Sequence, residues 1–232
     1  MAARADPRQL GLDLPARPAL GREAFLVSPC NDVALAQIDA WRDWPTRKLV
    51  LTGPPGSGKT HLAHIWAAEA EARVLAAPDL ASATPAEVAP GNLAVEDADR
   101  IAGDAEAERM LFHLHNMVLE SGGSLLLTAR EAPARWGVRL PDLASRIGAA
   151  GLAGLNAPDD DLLRAVLVKL FADCQQAVSP RLVDYLATHM DRSFAAARRI
   201  VARLDGLALA SRSRITREMA RRLLEEDHAT RA

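Results

Sequence analysis

Eight consecutive residues, Gly53-Pro54-Pro55-Gly56-Ser57-Gly58-Lys59-Thr60, satisfy GxxxxGK[ST] at every fixed position. Glycines at this spacing let backbone N–H groups turn inward around phosphate oxygens, and the N-terminus of a following helix adds partial positive charge. Lys59 can reach terminal phosphates, the Thr60 hydroxyl can hold a magnesium ion, and His61 continues the segment onto the helix. The spacing points to bound ADP or ATP with Mg2+, and does not choose between the two nucleotides.

A second stretch, Leu93-Ala94-Val95-Glu96-Asp97, ends an apolar run in two adjacent acids. One acid can orient magnesium through water while the next polarises an attacking water. Glu96 stands where phosphate-loop proteins usually carry aspartate; the alternative is a pair of solvated acids at a strand end. Thr128 closes another apolar run and would face a γ-phosphate at the sheet edge. Arg146, within Leu140-Pro141-Asp142-Leu143-Ala144-Ser145-Arg146, can stabilise charge on a phosphoryl group in a neighbouring subunit. Its other reading is a surface arginine paired with Asp142.

Positioning these residues requires a βα alternation. Apolar runs predict strands at Lys48–Thr52, Arg73–Ala77, Leu93–Glu96, Ser124–Thr128 and, more weakly, Gly151–Leu155. Helices are predicted at Lys59–Glu71 and Asp104–Leu119, the latter broken by Gly122 and Gly123. This pattern implies an α/β fold, a parallel sheet flanked by helices. Past Pro158 no strand-like run remains, and Asp159–Asp173, Ser179–His189, Phe194–Ala210 and Thr216–Glu226 all read as helices. The organisation expected is a tail over 1–18, an α/β nucleotide-binding domain over 19–156 and a small all-helical lid over 157–232.

Composition narrows the function classes. A net charge of -2 argues against bulk electrostatic binding to nucleic acid, and 4% aromatic content gives little stacking surface. No apolar run approaches the roughly 20 residues of a membrane span, and no signal peptide is read, so no membrane partner is expected. Cys30 and Cys174 are far apart, which fits a reducing cytoplasm. His61, His64, His113 and His115 form no metal-ligand pattern. Trp41 and Trp44 read as packing residues at the domain edge.

Together, GPPGSGKT, LAVEDAD, LLLTARE and LPDLASR, followed by a helical domain, resemble the AAA+ ATPases. Within them the pattern is most similar to the nucleotide-binding core of the replication initiator DnaA, over roughly residues 20–226. The chain stops at Ala232, and the expectation is that it lacks the initiator's DNA-binding domain and does not bind DNA sequence-specifically. A short DnaA-like chain of this kind resembles the Hda group. Gln9-Leu10-Gly11-Leu12-Asp13-Leu14 is similar to the peptide with which that group binds the sliding clamp, the β subunit of DNA polymerase III. Leu10, Leu12 and Leu14 would enter an apolar groove while the Gln9 amide anchors one end.

The resemblance implies further roles. Lys59 and Thr60 would hold nucleotide and magnesium, Glu96 would serve the metal, and Asp97 would be catalytic. Thr128–Arg130 falls at sensor 1. Phe25–Asn31 falls where the initiator contacts adenine. Arg146 matches the arginine finger, which in the Hda group is aimed at ATP bound to DnaA. The sensor 2 position aligns with Ala195; Arg192, Arg198 or Arg199 would substitute, with Arg198 favoured. Glu96 and Ala195 imply weak turnover of the chain's own ATP. The implied function is regulatory inactivation of DnaA, which limits re-initiation, with self-association left open. An adaptor or helicase loader acting on DNA, or a P-loop small-molecule kinase, are the other readings.

Overall fold

The computed structural model describes residues 21–84 and 91–229. The clamp-like segment Gln9–Leu14 lies outside the described residues. Five strands form one sheet: β1 (Lys48–Thr52), β2 (Arg73–Ala76), β3 (Leu93–Glu96), β4 (Leu125–Ala129) and β5 (Gly151–Gly154). Their order is β2-β3-β4-β1-β5 and every pair is parallel. Parallel neighbours need crossovers, and the helices that supply them cover both faces.

Side chains alternate across the sheet. Val50, Leu93, Val95, Leu125 and Leu127 enter one core with α3 (Ala105–Glu120) and α4 (Pro141–Gly148). Leu49, Leu51, Ala94, Leu126 and Ala153 enter the other with α1 (Asp32–Asp39) and α2 (Lys59–Glu69). Trp44 stacks on the fully buried Trp66 of α2 at 5.4 Å, and its indole N–H donates to Gln37 O. The four remaining helices, α5 (Asp160–Asp173), α6 (Pro180–His189), α7 (Phe194–Ser211) and α8 (Arg217–Ala229), surround a separate core that includes Leu167, Phe171, Leu186, Ile200 and Leu204. Ser179 caps α6: its hydroxyl accepts the Leu182 N–H.

Several boundaries differ from expectation; β5, for one, ends at Gly154 instead of Leu155. The fourth strand is displaced by one residue, because the Ser124 N–H is taken by the Asn92 side chain at 2.7 Å instead of the sheet ladder. Thr128 is therefore internal and buried, and Ala129 closes the strand. Helix α2 stops before Glu71, whose φ of 50° is left-handed. Ala77 begins a 3-10 stretch, Ala77–Ser82, instead of ending β2. No helix among the described residues is long and apolar enough to cross a membrane.

Candidate functional site

Gly53–Gly58 connects the end of β1 to the start of α2. Backbone conformation calls for glycine at Gly56, with φ 73°, and at Gly58, the residue before the helix, with φ 102°, and a Cβ on Gly53 would stand 2.6 Å from Leu155 O. Pro54 and Pro55 are exposed on its outer side, whereas Ser57 is buried. The ladder of α2 begins with Leu62, whose N–H donates to Gly58 O, so the Lys59, Thr60 and His61 N–H groups lie outside it at the positive end of the helix.

Lys59 is 8% exposed and its ammonium donates to Gly53 O at 2.7 Å and Pro54 O at 3.0 Å. Burial lowers its pKa, and the charges of Asp97 and Asp99 partly oppose that. A buried ammonium held only by neutral carbonyls, beside the first N–H groups of α2, suits an anionic phosphate. Thr60 is exposed at the same helix end. The Ser57 hydroxyl and Glu96 Oε1 are buried without a hydrogen-bond partner. An orphaned carboxylate oxygen at the C-terminal end of β3 fits Mg2+, which commonly takes one or two carboxylates and completes its shell with phosphates and water. Among the described residues no group of three or more acidic, histidine or cysteine side chains could hold a metal unaided.

Asp97 follows β3 with φ 51°, a left-handed conformation that aspartate tolerates better than most residues. Its N–H donates to the Thr128 hydroxyl at 3.0 Å. Thr128, expected to face a γ-phosphate, thus ties the end of β3 to β4 and fixes the turn that exposes Asp97. Asp99, which the sequence pattern does not mark, accepts the Arg130 N–H on one oxygen and has the other buried without a partner.

The lid touches this loop directly. The Phe194 N–H donates to Gly56 O at 2.9 Å, and a Cβ on Gly56 would stand 2.5 Å from Ser193 Cβ. The Phe194 ring would lie 3.3 Å from a Cβ on Gly58. Phe25 meets His61 edge to face at 5.3 Å, and His61 Nε2 lies 3.2 Å from Gly21 O. Burial lowers the His61 pKa; the Gly21 carbonyl opposes this, and the charges of Arg198, Lys169 and His64 add to it. Ser193 and Phe194 escape a sequence reading because each reaches the loop across the chain, whereas Phe25 opens the segment expected to contact adenine.

Of the three candidate sensor arginines, Arg192 pairs with Asp160 at 2.9 Å and Arg199 with Asp227 at 2.8 Å. Arg198 is exposed, its charge acts on His61, and it forms no ion pair among the described residues.

Arg146 sits elsewhere. It is exposed in the last turn of α4, its guanidinium carbon 5.1 Å from the Phe112 ring centre, and no pairing with Asp142 forms among the described residues. Its carbonyl accepts from Lys48 Nζ, on the first residue of β1, whereas the phosphate loop follows Thr52, the last. Four steps along a parallel strand span about 13 Å. Arg146 and α2 also lie on opposite faces of the sheet.

Comparison with known proteins finds the same fold. Domain III of the Thermotoga maritima replication initiation protein DnaA superposes with a TM-score of 0.76, at 21% identity, over 92% of this chain and 98% of that one. A DnaA bound to AMPPCP and single-stranded DNA gives a TM-score of 0.68, at 19% identity, over 84% and 69%. The chain carries a DnaA-like AAA+ fold. A Thermotoga maritima RuvB mutant matches this AAA+ fold with a TM-score of 0.62, at 18% identity, over 84% of this chain and 67% of that one. In sequence, the Chromosomal replication initiator protein DnaA of Caulobacter vibrioides is 25% identical over 236 aligned residues, 89% of this chain and 47% of that protein. The chain thus spans about half the length of the curated relatives it matches. No protein-family model matches it.

Proposed function

We propose that this chain is a nucleotide-dependent regulator of replication initiation that stimulates hydrolysis of ATP bound to DnaA, in the manner of the Hda group. ADP or ATP binds at Gly53–His61, its phosphates on the loop N–H groups and Lys59. Arg198 approaches from the lid, and Phe25 and His61 border the nucleoside side. Thr60 and Glu96 would hold Mg2+, which would supply neutralisation of phosphate charge. Asp97 stands where a water-polarising acid belongs. The Gln9–Leu14 peptide tethers the chain to the sliding clamp, and Arg146 is presented to DnaA.

The observation that carries this reading is the separation of Arg146 from the chain's own phosphate loop. An arginine at the start of the strands and on the opposite sheet face does not serve its own nucleotide. Its exposure and its position over an aromatic ring support a role on a phosphate brought by another molecule. The similarity to DnaA supports DnaA as that molecule, because AAA+ domains of one kind pack with one subunit's arginine at the next one's site.

The test follows phosphate release from ATP-bound DnaA with DNA-loaded clamp and this chain. The intact chain accelerates release; Arg146→Ala and a variant lacking residues 9–14 do not. Arg146→Ala lowers the rate by a factor on the order of 10³ with unchanged ADP affinity. Equal stimulation by the intact chain and both variants defeats the proposal.

A further inference from the structure

Helix α4 is only eight residues long, and a helix of that length is not stable by its own hydrogen bonds. Leu143 and Ile147 bury one side of it. Two buried charged side chains, from two other elements, engage its two ends.

At the N-terminal end stands Glu108 of α3, which is 2% exposed. Its carboxylate accepts the Leu140 N–H at 2.8 Å, the Arg139 N–H at 3.0 and 3.1 Å, and the Gly103 N–H at 2.9 Å. Leu140 is the residue that caps α4. At the C-terminal end stands Lys48 of β1, which is 6% exposed and donates to Arg146 O at 2.6 Å. Beside it the Thr46 hydroxyl donates to Ala149 O, on the residue that closes the helix. A carboxylate at the N-terminus and an ammonium at the C-terminus both complement the helix dipole, and both are stronger for being withdrawn from water.

We infer that Glu108 and Lys48 are positioning residues that clamp the two ends of α4 and thereby fix the direction in which Arg146 is offered. Neither touches the reacting phosphate. Burying a lone ammonium is costly, and Lys48 has no carboxylate partner among the described residues; its bond is to the backbone of the residue whose side chain must be aimed. A lysine needed only for solubility would be exposed. A residue needed only for packing would be apolar, like Leu49 beside it.

The role of the clamp in catalysis rests on the reading of Arg146 given above, so its test has two parts. The first needs no DnaA. In ¹⁵N-labelled full chain with ADP, the backbone amides are assigned by triple-resonance spectra and the Arg146 Nε–H resonance by its loss in Arg146→Lys. Lys48→Met shifts and broadens the α4 amides, Arg146 included, while α2 and α7 amides and ADP affinity stay as in the native chain. The second follows DnaA-bound ATP on loaded clamp. Lys48→Met lowers the maximal stimulated rate about tenfold, leaves the concentration for half-maximal stimulation unchanged, and adds nothing in an Arg146→Ala background. Lys48→Arg, which keeps a buried donor, restores most of the rate. Unchanged α4 resonances in Lys48→Met overturn the clamp whatever the rates do. A rate loss that tracks lost ADP binding also overturns it, since that reports general damage. Altered α4 resonances alongside full stimulation by Arg146→Ala keep the clamp and reject the finger.

Discussion

The loop around Lys59 and the helix that carries Arg146 are built on opposite plans. The nucleotide face uses backbone: left-handed glycines, carbonyls folded onto an ammonium, and a lid helix hydrogen-bonded to Gly56 O. The Arg146 face uses side-chain charge, with Glu108 and Lys48 withdrawn from water and bonded to main-chain groups. Backbone groups suit a ligand that arrives with its own charge and must be released. Fixed internal charges suit a helix that must hold one direction whether or not a partner is present. The first surface is arranged to exchange its occupant, the second to remain as it is.

If this contrast is right, damage to each face has a different signature. Lys59→Ala removes the only buried ammonium at the loop and weakens ADP binding by about 100-fold, measured by titration calorimetry, with little change in melting of the ligand-free chain. Glu108→Gln gives the reverse pattern. It lowers unfolding free energy by about 2–3 kcal/mol in urea titrations and leaves ADP affinity intact. Burial pushes the Glu108 pKa up, but the hydrogen bonds from Gly103, Arg139 and Leu140 and the Arg139 charge outweigh it, and the net direction is down. A depressed carboxylate contributes its stability above its unfolded pKa of about 4.3 and loses it as the pH falls through the lower folded value. The stability gap between the native chain and Glu108→Gln should therefore be full at neutral pH and narrow below about pH 4. A gap that widens on acidification contradicts the assignment. Gly56→Ala has the smallest effect. A left-handed φ and the closeness of Ser193 together cost about 1–2 kcal/mol, and ADP affinity drops several-fold as the lid is displaced.

The two faces were not equally legible in the sequence. The phosphate loop announces itself because backbone chemistry demands glycine, lysine and threonine at fixed spacing. The sheet announces itself because strands buried on both sides become continuous apolar runs. Helix α4 gave no such signal. Eight residues beginning with Pro141 are too few to establish a period, and α1 was missed for the same reason. Glu108 was hidden differently. A charged residue within an amphipathic helix resembles its solvated face, and only the fold shows that the chain at Gly103 and Arg139 returns to cover it. The one-residue slip of β4 came from the Asn92 side chain, which competes with the ladder for the Ser124 N–H. Local spacing revealed what is local; the long-range bonds of Lys48, Asn92, Glu108 and Phe194 were not available to it.

The start of β1 also bears on the order in which the molecule assembles. Thr46, Arg47 and Lys48 bond to Ala149 O, Leu119 O and Arg146 O, which lie 103, 72 and 98 residues further along the chain. Their partners emerge from a ribosome several seconds after they do, at ordinary synthesis rates. Until then a buried-type lysine and an apolar strand wait without neighbours, with the phosphate loop already made. Closing such distant contacts is slow, whereas the lid helices meet mostly residues close in sequence. Strand β1, an inner strand of the sheet and first of the five to be synthesised, should thus be among the last to be secured, since its neighbours β4 and β5 are made last, and that interval is where the nascent chain is most exposed to aggregation.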